Sequence, residues 1–127
     1  MKQLASTFCI SLFAVACASG GAGGGEPVLA PGTHPADYAG QRVSIEGVIS
    51  HAISAHPMSP PLHLQAVNYV EFGSRQIVVY TRAPIECKGR VRLTGTFSEV
   101  RARIGPSRSR GGGYRGWHFA AEEHRCL

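Results

Sequence analysis

Arg42-Val43-Ser44-Ile45-Glu46-Gly47-Val48-Ile49-Ser50 returns later in the chain as Arg90-Val91-Arg92-Leu93-Thr94-Gly95-Thr96-Phe97-Ser98, with the same chemical types in the same order. Val43, Ile45 and Ile49 in one copy, and Val91, Leu93 and Phe97 in the other, fall on alternate positions. That is the period of a strand with one face in a core. Gly47 and Gly95 fall on the same inward face. An inward position without a side chain lets a strand coil sharply or another backbone come close, so the pair predicts a small, tightly curled sheet.

Around these two strands the remaining pattern is short and β-rich. Residues 62–72 and 76–81 are strand-like and are joined through Gly73-Ser74, which suits a type II′ hairpin turn with Gly at its first central position. If Phe72 opposes Arg75, then Val70 faces Ile77 on one side, while Tyr69 meets Val78 and Val67 meets Tyr80 on the other. The first repeated strand is expected to run on as far as Ile53, and the second to fade at Val100. Residues 117–122 form a fifth strand with Trp117, Phe119 and Ala121 inward. Between them, 51–61 is a loop broken by Pro57, Pro60 and Pro61, 82–88 is a connector, and 101–116 is a loop holding Gly111-Gly112-Gly113. Residues 33–40 look like one helical turn, with an early Pro35, Asp37 in the first turn and a terminating Gly40, and Tyr38 would pack on the end of the sheet.

The chain has 127 residues, with 13 Lys and Arg against 8 Asp and Glu, and a formal net charge of +5. Lys2 followed by the apolar run 4–16 reads as a signal peptide, since the run is too short for a stable bilayer-spanning helix. Removing it leaves a net charge of +4, carried almost entirely by Arg. Arg offers a planar fork suited to phosphate or carboxylate, but it is also an ordinary residue of solvated surfaces. Residues 17–32, rich in Gly, Ala and Pro, read as a flexible tether, and 33–127 as the folded domain.

Four cysteines are present. Cys9 would leave with the signal, and in an oxidising compartment Cys87 and Cys126 are most simply a disulfide closing a loop of about 40 residues. No Cys-x-x-Cys occurs, so neither a redox enzyme nor a zinc ribbon finds support. Nor is there a nucleophile elbow, a phosphate loop or an evident acid–base pair, so no catalysis and no cofactor are expected.

Five strands, short hairpins and no helix long enough for a parallel sheet predict an all-β, five-stranded Greek-key barrel. Gly40-Gln41-Arg42-Val43-Ser44-Ile45-Glu46-Gly47, the run Ile77-Val78-Val79-Tyr80, and Gly89-Arg90-Val91-Arg92-Leu93-Thr94-Gly95-Thr96 resemble the small bacterial exported OB-fold proteins and their anticodon-binding-like relatives. The resemblance spans roughly residues 38–123 and implies a fold more than an activity. It departs from that family in having no helix before Gly89, which leaves an SH3-like barrel or a small open sandwich as alternatives. Ala14-Val15-Ala16-Cys17 resembles the lipobox of bacterial lipoproteins, although Ala14 stands where that family usually has Leu, and ordinary cleavage after Ala16 or Ala18 stays open. The resemblance implies lipidation of Cys17 and, because Ala18 is not Asp, an outer-membrane lipoprotein facing the periplasm.

Three sets of residues are candidates for function. The face carrying Val67, Tyr69, Val78 and Tyr80 is where OB-folds bind ligands, and Tyr69 and Tyr80 would stack on bases or sugars unless the N-terminal turn or C-terminal tail covers them. Arg101, Arg103, Arg108, Arg110 and Arg115 lie on a Gly-rich stretch with no acid among them, which suits phosphate. An exported protein seldom meets nucleic acid, so their partner would be an anionic lipid or another envelope component, the alternative being a plain solvated loop. His51, His56, Met58 and His63 offer the imidazole and thioether ligands that Cu(I) prefers, at spacings matching no metal motif; His124 lies beside a cysteine that pairing explains better. The expectation is an envelope binding or accessory module held at the membrane by a lipid anchor. Periplasmic copper handling and oligosaccharide or nucleic-acid binding are the alternatives, and the oligomeric state stays open.

Overall fold

The two copies of the repeated motif pair with each other. A computed structural model of the chain describes residues 25–103 and 113–127. In it a 3₁₀ turn, Pro35–Tyr38, leads into five longer strands: β2 (Arg42–Ile49), β3 (Ala66–Phe72), β4 (Arg75–Thr81), β5 (Arg90–Ala102) and β6 (Tyr114–Cys126), preceded by a two-residue β1 (Val28–Leu29). β2 and β5 are antiparallel, with Ile45 opposite Leu93, Gly47 opposite Val91 and Val43 opposite Gly95. Each glycine therefore faces the valine of the other copy, so the repeat forms a local two-fold about the Ile45–Leu93 pair.

The sheet order is β1-β2-β3-β4-β6-β5, and the β2–β5 pairing closes β2 to β6 into a ring of five strands. β4 and β6 run parallel, and the other pairings inside the ring are antiparallel. The protein is all-β, with no α-helix among the described residues. The β3–β4 hairpin has the expected register, Val70 against Ile77 and Tyr69 against Val78, and Gly73 takes the positive φ of 63° that the turn needs.

Both inward glycines mark places where a third strand crowds in. A Cβ on Gly47 would meet Val70 Cγ1 and come within 2.5 Å of the Glu71 carbonyl oxygen in β3. One on Gly95 would strike the Ala120 carbonyl of β6, at a point where the β5–β6 register slips by a residue. The core inside the ring is built from Val43, Ile45, Val70, Phe72, Ile77, Val79, Val91, Leu93, Phe97 and Phe119, with Trp117 and Tyr38 packed against it. Phe97 and Phe119 meet edge to face with centroids 4.8 Å apart. The 3₁₀ turn is capped by His34, whose Nδ1 accepts from the Ala36 amide at 3.2 Å.

Four expectations are corrected. The first concerns the tether. Part of 17–32 is structured: β1 pairs in parallel with Ser44 and Ile45, the Ser44 amide donates to the Pro27 carbonyl at 2.9 Å, and Leu29 is buried. The reason lies in β2, which β3 joins only at Val48 and Ile49, leaving the edge beside Ser44 for another backbone to satisfy. The proposed signal segment and Cys17 lie outside the described residues.

Next, β2 stops at Ile49 and Ile53 is exposed, because Gln76 turns its side-chain amide onto Ser50 Oγ and the Ala52 carbonyl. The strand expected from residue 62 begins at Ala66. Last, β5 and β6 extend to Ala102 and from Tyr114, so Arg101 and Arg115 are cross-strand partners rather than loop residues.

Candidate functional site

The outer face of β3, β4 and β6 carries a second, smaller core. Val78 and Tyr80 are buried there with Leu64, and Val67, Tyr69 and Ala120 pack beside them. The cover is the loop 50–65, not the N-terminal turn or the C-terminal tail. Its Ser59 amide donates to Tyr80 Oη at 3.0 Å, and its His56 ring stands edge-on to Tyr69 with centroids 5.4 Å apart. Tyr80 is only 2% exposed, so it presents no ring for a base or sugar to stack on.

Beneath the loop lies His118, which is fully buried and which the sequence reading did not single out. Both of its nitrogens are satisfied by tyrosines: Nδ1 meets Tyr80 Oη at 2.8 Å and Nε2 meets Tyr114 Oη at 2.9 Å. Because Tyr80 Oη already accepts from the Ser59 amide, the tautomer assigned from this network has Tyr80 donating to Nδ1 and Nε2–H donating to Tyr114 Oη. Tyr114 reaches His118 by lying along its own strand over Gly116, where a Cβ would collide with the tyrosine ring. Tyr114, Gly116, His118 and Ala120 alternate on one face of β6, a pattern visible in the sequence once that face is known to be covered.

Burial, with the neighbouring His56, holds the His118 imidazole down to about 4, against an ordinary value of 6.5. Between those two pH values the unfolded chain binds a proton that the folded chain refuses, so stability falls as pH drops through that window. The loss reaches roughly 3 kcal/mol at its lower end, at about 1.4 kcal/mol for each pH unit of displacement. Urea midpoints at pH 7 and pH 4.5 should show this fall in the parent and a much smaller one in His118→Phe. Parallel acid limbs in the two proteins would mean that His118 is not the group responsible.

The histidine and methionine set is not gathered. His51, Met58 and His63 are exposed, and of the four only His56 turns inward, donating from Nδ1 to the Ser54 carbonyl at 2.9 Å. Among the described residues no three His, Cys, Asp or Glu side chains converge as a metal would require. His124 lies two residues before Cys126, which is bonded to Cys87.

The basic residues form a corner at the far end of the β5–β6 pair. Arg101, Arg103, Tyr114 and Arg115 line an open concavity of about 420 Å³ there. Arg101 and Arg115 stand opposite each other, and both reach Glu99, Arg101 through Nη2 at 2.8 Å. Arg115 and then Arg101 hold the Glu99 carboxyl below the usual carboxylate range. The expected stretch without an acid is thus partly neutralised from within the strand. Arg108 and Arg110 lie outside the described residues. Elsewhere Arg42 joins Glu26, Glu122 and Glu123, and Arg90 and Arg92 share Glu46, so these arginines are turned to internal pairing. Tyr114 connects the two features, lining the corner while its hydroxyl meets His118.

Compared with protein-family models, curated proteins and solved structures, the chain gives no match.

Proposed function

We propose that the protein is a non-catalytic binding module of the bacterial envelope, an OB-type barrel that docks on an anionic surface through the corner between β5 and β6. The barrel reading is supported by the ring order, in which the first long strand pairs with the second and fourth and the last inserts between the third and fourth. The binding reading is carried by one observation: Arg101, Arg103 and Arg115 surround a concavity at the mouth of a segment that adds Arg108 and Arg110 and no acid. A lipid on Cys17, as the lipobox resemblance implies, would keep this corner within reach of phospholipid headgroups. Periplasm-facing outer-membrane placement follows from the same resemblance.

Arg101 and Arg115 are tied to Glu99, so the cleaner test leaves them in place. The chain from residue 17 with Cys17→Ser keeps every described strand while lacking both lipid and the apolar run 4–16. It should co-sediment with phosphatidylglycerol vesicles at low salt and not with phosphatidylcholine. Changing Arg103, Arg108 and Arg110 to Ser should weaken binding between tenfold and about 100-fold, since each cation near such a surface contributes about 1 kcal/mol at most. If this variant sediments like its parent, or the parent ignores anionic vesicles, the corner is a solvated turn and the reading fails.

A further inference from the structure

We infer that the loop 50–65 is a membrane-inserting element, whose Ile53, Met58 and Leu62 enter the lipid surface on which the arginine corner docks; this rests on the membrane reading above. Ile53 is 79%, Met58 56% and Leu62 96% exposed, and a folded chain in water gains nothing by presenting three such side chains from one loop. From Ser50 to Val70 there is no Asp, Glu, Lys or Arg, so no fixed charge opposes entry into an interface.

The loop's backbone is also prepared for leaving water. Pro57, Pro60 and Pro61 have no amide proton to strand. The carbonyls of Ala52 and Ser54 accept from Gln76 and His56. Those of Pro61 and Leu62 accept from the Gln65 side chain, each at 3.0 Å, and Pro61 also from the Leu64 amide. Leu64 and the Ser59–Tyr80 hydrogen bond hold the loop against the sheet, so the apolar side chains are presented by a fixed scaffold. The position is right for the ligand class. His56 in the loop lies 5.4 Å, centroid to centroid, from His118, whose other partner Tyr114 lines the arginine corner. The loop is thus linked to the arginine corner through His118 and Tyr114, and cations together with exposed apolar side chains are the combination by which peripheral proteins hold an interface.

The two contributions separate with salt. Vesicle co-sedimentation of the Cys17→Ser chain would be run at low salt and at about 0.5 M, where screening shortens to roughly 4 Å. The parent should keep a salt-resistant fraction of its binding to phosphatidylglycerol. Ile53→Ser/Met58→Ser/Leu62→Ser should lose that fraction by at least tenfold while melting like the parent. In a second measurement, Leu62→Trp should gain blue-shifted fluorescence quenched by brominated lipid, against a parent whose single Trp is Trp117. If the triple variant matches the parent at both salts, or Leu62→Trp stays unquenched while the protein is vesicle-bound, the insertion is overturned and arginine docking still stands. If the parent binds no vesicle at all, the docking reading falls and the insertion with it.

Discussion

Gly95→Val lowers the stability of the protein by roughly 3 kcal/mol or more, at the upper end of what overpacking a core costs. The new side chain would begin where the Ala120 carbonyl already lies, with Ala121 Cα only 2.9 Å away. Both obstacles are backbone, so no rotamer change relieves them, and either the bulge at Glu122 of β6 or the β5–β6 pairing has to give. Gly47→Val should cost less, about 1 to 3 kcal/mol, because one of the atoms it meets is the movable Val70 Cγ1. Gly89→Ala is the control, since nothing stands within 4 Å of its new methyl. Urea denaturation of the three variants decides the matter. If Gly95→Val and Gly89→Ala unfold together with the parent, the overpacking argument at Gly95 fails.

Opening the bond between Cys87 and Cys126 removes about 4 kcal/mol, the loop-closure value for the 39-residue separation. For a domain of this size that lowers the melting temperature by roughly 20 °C. The bond ties the end of β6 to the connector between β4 and β5, beside the Leu127 amide donating to the Arg90 carbonyl at 3.0 Å. The reduced parent and Cys87→Ser/Cys126→Ser should melt together, well below the oxidised parent. Coincident melts in all three samples, or two free thiols by intact mass in protein taken from an oxidising compartment, would contradict this.

The repeated strands and the hairpin were readable because their signals are local. Alternation set the inward faces of Val43, Ile45, Val91 and Leu93, and Gly73 fixed the register that puts Val70 against Ile77. β1 was not readable in that way. Two residues make no period, and what calls them into place is an edge of β2 that β3 leaves open far along the chain. His118 escaped for a related reason: its outward position on β6 reads as solvent-facing until the loop 50–65 folds across it. The arginine corner was half visible. Its composition stands in the sequence, but Glu99, two residues before Arg101 on the same strand, reaches Arg115 only through the β5–β6 pairing.

β6 is the last of the described strands and yet lies between β4 and β5, touching one in parallel and the other along nearly its full length. The order of synthesis and the order of assembly are therefore set against each other. A chain emerging from its N-terminus can bring β2, β3 and β4 together and lay β5 on β2, but the seam between β4 and β5 stays open until the final 13-residue strand arrives. Until then Phe97 lacks its partner Phe119, and Cys87 has no Cys126 to meet. Because such long-range closure is also slow, completion of the ring waits on the arrival of β6.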